Sequence, residues 1–269
     1  MVIDFHTHTF PDKIAEKTIE HLSKKGGIKP YRDGTYSSLK KSMQDSGVDV
    51  SIVLPVATNQ SQVETINNLS AELSGKNGIY YFGAIHPDCS DVEAILDDIK
   101  EKGLKGIKLH PDYQGAYFDD PRYIRIIGEA AKRELIIVTH AGRDVAYPED
   151  IHCTPDMVLN VLSELKGVIE DRLVLAHMGG FDLEDEVLEK LIGKPVYMDT
   201  AAVLDRYPIK CKQIIEAHGA DRILFATDSP WTDQANMLEC LKSLGLSQKD
   251  NDLILYKNAK RLLGGTLAL

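Results

Sequence analysis

The sequence predicts a single-domain α/β fold, a (β/α)8 barrel of the TIM type over residues 1–269. Three observations carry this reading. Eight short apolar runs bounded by turn signals recur along the chain, as buried parallel strands require. Amphipathic stretches with helix start and stop residues lie between them, without a long linker or low-complexity tract. Several runs also end in a residue type that ligates metals. In a parallel barrel the carboxyl ends of all strands meet at one face, where active sites are built. A doubly wound open sheet, the structural alternative, would draw on fewer strand ends.

The first run is Val2-Ile3-Asp4-Phe5-His6-Thr7-His8, and its two histidines, two apart on a strand, point to one side. Residues 48–55, 79–87 and 106–111 supply the second, third and fourth runs. Residues 135–140 end in Thr139-His140, and residues 172–177 end in Ala176-His177. Residues 195–200 form the seventh, and residues 222–228 close the series at Thr227-Asp228. Among the helices, Val92, Ile95, Leu96 and Ile99 form one stripe over 91–102, and Gly103 is a stop signal. Asp120-Pro121 and Thr154-Pro155 each offer a capping oxygen followed by proline at the first helical position. Residues 248–263 read as a final helix that runs out at glycines.

Bulk composition narrows the function. A 43% hydrophobic, 27% charged chain is a soluble globular one. With 31 basic against 41 acidic residues and a net charge of −10, a stripe of phosphate contacts is disfavoured, so nucleic acid is not the expected partner. Cys89, Cys153, Cys211 and Cys240 form no C-x-x-C pair, which suits a reduced, cytoplasmic protein. No signal-like start and no apolar run of spanning length is present, so no membrane is expected. The expected partner is a small-molecule substrate, and a homo-oligomer is compatible with the sequence.

Each candidate ligand has a bland reading when taken alone. His140 or His177 singly would be a hydrogen-bonded core or rim histidine, and Asp228 a helix cap. Taken together, strand ends converging on one barrel mouth point to a divalent metal centre.

At these residues the chain resembles the amidohydrolase superfamily, in the amidohydrolase-related branch that contains aminocarboxymuconate-semialdehyde decarboxylase. The matching motifs are Asp4-Phe5-His6-Thr7-His8, Gly106-Ile107-Lys108-Leu109-His110-Pro111, Thr139-His140-Ala141-Gly142, Ala176-His177-Met178-Gly179-Gly180 and Thr227-Asp228-Ser229-Pro230-Trp231. Asn258-Ala259-Lys260-Arg261-Leu262-Leu263 is similar to the branch's last helix, so the likeness runs from residue 2 to residue 264. It implies the distorted barrel of metal-dependent hydrolases. It also implies that His6, His8, His140 and Asp228 bind one divalent metal, zinc by preference. His177 would then polarise water or substrate, and Asp228 would double as a proton acceptor. Zinc takes imidazole and carboxylate ligands and lowers the pKa of bound water to about 7, so the set is chemically coherent.

The fourth strand departs from binuclear relatives, which bridge two metals there with a carboxylate or a carboxylated lysine. Lys108 occupies that strand, on one face with His110. Its carboxylation would admit a second metal; the simpler reading is a protonated lysine paired with an acidic substrate or with Asp228. Lys108, His110 and Arg143 are the candidate substrate-binding residues, Arg143 as a two-pronged carboxylate ligand. His86, Trp231 and Tyr113 are further candidates for the pocket wall. Cys153 lacks a neighbouring base, and His21 and His218 read as surface residues.

The expected activity is metal-dependent hydrolysis of a small amide, lactone or ester by metal-activated water. The alternative is nonoxidative decarboxylation of an aromatic or unsaturated acid on the same ligands. A phosphoesterase is disfavoured by the acidic chain, and a non-catalytic scaffold by the complete ligand set.

Overall fold

The computed structural model describes residues 1–169 and 171–264. Its parallel strands are β1 (Ile3–Thr7), β2 (Val50–Val53), β3 (Ile79–Tyr81), β4 (Gly83–Ala84), β5 (Gly106–Leu109), β6 (Ile136–Thr139), β7 (Leu173–Leu175), β8 (Tyr197–Asp199) and β9 (Ile223–Leu224). Pairing runs β1-β2-β3 and then β4 through β9 in sequence order.

The third predicted run thus divides at Phe82, whose N–H donates to the Val53 carbonyl at 3.0 Å and links the two sheets. The other seam is closed by residues beyond β9. Phe5 N–H donates to the Phe225 carbonyl at 2.9 Å, Asp228 N–H to the His6 carbonyl at 2.8 Å, and His8 N–H to the Ser229 carbonyl at 2.7 Å. With β3 and β4 counted as one stave, the result is a closed eight-stave barrel, as predicted.

Strand alternation sorts the side chains into two layers. Ile3, Phe5, Val50, Ile52, Ile136, Val138, Val174 and Leu224 belong to an inner cluster. Val53, Ile107, Leu109, Ile137, Leu173 and Leu175 face outward and join the helices in a larger cluster. Both layers are dry, so the barrel is a packed core rather than a pore.

A register shift between Asp4 and Thr7 marks a bulge in β1. One extra residue re-aims the side chains after it. Asp4 stays on the helix side, where it accepts from Thr227 Oγ1 at 2.6 Å and Gln234 Nε2 at 2.7 Å. His6 turns to the barrel interior. Without the bulge, Asp4 and His6 would share a face.

The helices agree closely with the sequence signals. Asp120 and Thr154 accept from Arg122 N and Met157 N at the starts of Pro121–Lys132 and Pro155–Glu164. The last helix differs: Gln248–Asp252 and Asn258–Leu262 flank a π turn, Leu253–Lys257. That turn loosens the local ladder, and the Ile254 carbonyl accepts from Phe225 N–H at 2.9 Å. No helix among the described residues is long and apolar enough to cross a membrane.

Candidate metal centre

Six staves deliver polar groups to the carboxyl-terminal face: His6 and His8 from β1, Lys108 and His110 from β5, His140 from β6, His177 from β7, Asp199 from β8, and Asp228 after β9. All but His8 and Asp228 are buried.

Hydrogen bonds on the far side of each ring decide where its lone pair points. His8 Nδ1 donates to the Leu54 carbonyl and His177 Nδ1 to the Ala201 carbonyl, both at 2.9 Å. A carbonyl only accepts, so Nδ1 carries a proton, and in the neutral tautomer Nε2 is the lone-pair atom. His6 Nδ1 likewise donates to Asp199 Oδ2 at 2.9 Å. His6 Nε2 and His8 Nε2 then face each other at 3.1 Å. Asp228 Oδ1 lies 3.2 Å from His8 Nε2 and 3.5 Å from His6 Nε2. These three donors, all within 4.8 Å of one another, turn only lone pairs toward a common point. Such a set fits a divalent cation, and two imidazoles with one carboxylate is a donor chemistry that zinc accepts.

Electrostatics keep the donors in their metal-binding forms. Burial, then the Lys108 ammonium, hold His6 well below the usual imidazole range. His140 is depressed by burial and by neighbouring His110. For Asp228, burial pushes the carboxyl up, but the adjoining His8 and His6 side chains outweigh it and leave it below its ordinary value. His177 (φ +57°) and Asp228 (φ +70°) both adopt the left-handed region. Non-glycine residues rarely do so, and such strain concentrates at functional sites.

His140 stands beside His177 and His110. Its Nδ1 is 3.0 Å from His177 Nε2, and the structure groups it with His110 and Asp144 within 4.8 Å. The His110 and His140 rings stack, with centroids 4.4 Å apart and planes 7° from parallel. Burial, with the Asp112 and Asp228 charges, pushes Asp144 up to about 6.

Lys108 is buried, with Nζ 3.3 Å from His6 Nε2. No carboxylate among the described residues lies within ion-pairing distance, so the expected pairing with Asp228 is not seen. Burial pulls its pKa down to about 8, against the opposing charges of Asp199 and Asp228. Arg143 lies at the rim, where its guanidinium donates to the Pro148 carbonyl and approaches Asp182 at 3.6 Å. Above this floor opens a cavity of about 1710 Å³, walled in part by Tyr113, Tyr147, Phe181 and Trp231. Lys25 Nζ sits 3.7 Å from the centre of the Tyr147 ring at its mouth.

His86 is buried outside this cavity and accepts from Asp88 N–H at 3.2 Å. Cys153 is buried too, its thiol pushed well up by burial. His218 is not a surface residue: its Nε2 donates to the Val196 carbonyl at 3.0 Å and Nδ1 accepts from Gly193 N–H at 3.2 Å. Three acids of the barrel mouth escaped sequence reasoning. Asp199 had a signal, since its apolar run ends in a carboxylate as the others end in histidine. Asp112 and Asp144 lie just beyond strand ends, where no periodicity marks them.

A closed parallel barrel thus brings histidines and carboxylates that could hold a metal ion to its carboxyl-terminal mouth. The amidohydrolase family model matches residues 3–265, and the chain belongs to that family. No functionally curated protein matches the sequence. Among solved structures it is similar to 2,6-dihydroxybenzoate decarboxylase complexed with 2,6-dihydroxybenzoate (TM-score 0.74, 17% identity, covering 98% of this chain and 99% of that one). It is also similar to 5-carboxyvanillate decarboxylase from Sphingomonas paucimobilis (TM-score 0.70, 14% identity, 98% of each chain). A protein described as a 2-pyrone-4,6-dicarboxylic acid hydrolase from Pseudomonas putida matches at TM-score 0.67 and 15% identity, over 99% of this chain and 98% of that one. At these identities the likeness is one of fold.

Proposed function

We propose that residues 1–269 form one cytoplasmic catalytic domain, a metal-dependent hydrolase of a small carboxylate-bearing amide, lactone or ester. The observation that carries this reading is the convergence of the bare His6 and His8 Nε2 atoms on the Asp228 carboxylate. His6, His8 and Asp228 would hold the cation, zinc by preference, with His140 Nδ1 the fourth donor on the same floor.

Zinc there would supply a water with a pKa near 7 and a Lewis acid for the carbonyl. Asp228, ionised and beside that point, accepts the proton of the attacking water. His177, its ring fixed by the Ala201 carbonyl, turns Nε2 toward the reacting group. From there it would polarise the water or the substrate. The Lys108 ammonium, free of carboxylate partners among the described residues, binds the substrate's carboxylate beside His110. Arg143 serves the rim, and the aromatic walls exclude water.

Decarboxylation of an aromatic or unsaturated acid is the second reading. A buried ammonium 3.3 Å from His6 Nε2 favours it, because it would seat a carboxylate against the cation site. Two structural neighbours of the chain are decarboxylases of aromatic acids.

Turnover of a panel of lactones, amides and aromatic acids in 18O-water separates the two. Hydrolysis puts one 18O into the product; carbon dioxide release without label supports the second reading. Full activity in excess chelator contradicts both.

A further inference from the structure

We propose that Lys25 marks a second anion subsite at the outer end of the cavity, which holds a carboxylate of the substrate remote from the one at Lys108. The substrate class is thereby narrowed to dicarboxylates. This inference deepens the reading of a carboxylate-bearing substrate and rests on it. Lys25 lies in the last turn of the first helix, Asp12–Gly26, which follows β1 and walls the cavity. Ala15 and Ile19 of that helix are buried and form its packing face. Lys17, His21 and Lys25, spaced by four, form another face, and that face lines the cavity.

Aromatic rings fix where this ammonium stands. Lys25 Nζ is 3.7 Å from the centre of the Tyr147 ring and 5.2 Å from that of Tyr113, distances at which a ring face attracts a cation. Tyr113 in turn meets Tyr147 edge to face at 5.3 Å and His110 at 4.5 Å, so one chain of rings runs from the floor to Lys25. The backbone is held as well. A Cβ at Gly26 would come within 2.9 Å of Val145 Cγ2, so the end of the helix presses on the loop after β6. A cation–π contact uses none of the ammonium's hydrogen-bond donors. No carboxylate among the described residues lies within ion-pairing distance of Lys25, so those donors are open to a ligand.

Charge and size point the same way. Lys13, Lys17 and Lys29 line the cavity too, and none has a carboxylate within ion-pairing distance among the described residues. The exposed part of the lining sets these lysines, Lys25 and Arg206 against Asp12 and Asp205, on a chain whose net charge is −10. A cleft with such an excess of one sign draws in ligands of the other. The cavity, about 1710 Å³, also exceeds the roughly 300–1,000 Å³ of most small-molecule pockets, so it has room for a substrate that reaches from floor to mouth. Lys108 on the floor and Lys25 at the mouth, neither with a carboxylate partner among the described residues, take one end each of a dianion.

The test is calorimetric titration of zinc-loaded protein with acids paired by chain length: hexanoate with adipate, octanoate with suberate, decanoate with sebacate. Within a pair the diacid carries a carboxylate where the monoacid ends in methyl. At least one diacid should bind about 5-fold more tightly than its partner, the scale of one exposed ion pair. Lys25→Gln should remove that preference and leave the monoacids unchanged, whereas Lys108→Met should weaken both series. Lys249→Gln, the same charge change at an exposed residue outside the cavity, should keep the preference. Monoacids that bind, with no diacid tighter, overturn the outer subsite and leave the carboxylate at Lys108 intact. Equal losses in Lys25→Gln and Lys249→Gln, or loss of monoacid binding in Lys25→Gln, also overturn it. If no acid binds the wild type, the reading of a carboxylate-bearing substrate falls, and this inference falls with it.

Discussion

The Asp199 carboxylate accepts the Nδ1–H of His6 at 2.9 Å. Its second oxygen accepts the backbone N–H groups of His177 at 2.9 Å and Ala201 at 3.0 Å. One buried acid therefore sets the tautomer of a proposed ligand and the position of the histidine proposed for catalysis.

Asp199→Asn breaks this arrangement, because the amide NH2 must face either the His6 N–H or the two backbone N–H groups. Donor then meets donor. Metal affinity should fall about 10–100-fold, the usual cost of losing such an orienting partner. Competition against a chromophoric chelator measures it, and unchanged affinity would contradict the role.

Asp228→Asn should lower turnover by at least about 100-fold, the scale of general acid–base loss. Its circular dichroism should match the wild type. Wild-type turnover in the folded variant is incompatible with Asp228 as proton acceptor.

Lys108 gives a pH signature. Its pKa is lowered from 10.5 to about 8, so the ammonium is present below that pH and lost above it. KM for a carboxylate substrate should therefore rise as pH increases through about 8. Lys108→Met should raise KM at neutral pH by roughly 10–100-fold, as loss of a charged hydrogen bond does. The variant's KM should also be flat across this range. A wild-type KM that is flat across the range would remove Lys108 from substrate binding.

Gly142 tests the scaffold behind His140. Its φ is +86°, and a Cβ there would run into the Phe181 backbone. Arg143 N–H donates to the Phe181 carbonyl at 2.9 Å and Phe181 N–H to the Ala141 carbonyl at 3.0 Å, so neither segment can move away freely. Gly142→Ala should cost about 2 kcal/mol or more. Urea unfolding would show it as a lower midpoint at constant slope, and an unshifted midpoint would contradict the close approach.

The strand ends were legible because burial and chemistry conflict there: an apolar run has no packing reason to finish on His140, His177 or Asp228. The order of the staves was legible for the same reason. The β1 bulge was not, since an extra residue leaves composition and hydropathy unchanged while rotating His6 away from Asp4. Nor was the grouping of His140 with His110 and Asp144, which depends on how β5 and β6 align. His218 was misplaced because its helix shows only which face is apolar, not that the Val196 carbonyl meets its last turn. Asp112 sits on the single helical turn Pro111–Gln114 and Asp144 on a loop, short segments whose geometry is set by tertiary contacts rather than local pattern.

His6, His8 and Asp228 are proposed to hold the cation on which activity depends, and everything else at the barrel mouth is arranged around them. The most direct measurement is anomalous scattering on either side of the zinc edge, from crystals of active, zinc-loaded protein. A peak is expected about 2.0–2.2 Å from His6 Nε2, His8 Nε2 and an Asp228 carboxylate oxygen. Active protein whose zinc lies elsewhere, with these three side chains unliganded, would contradict it.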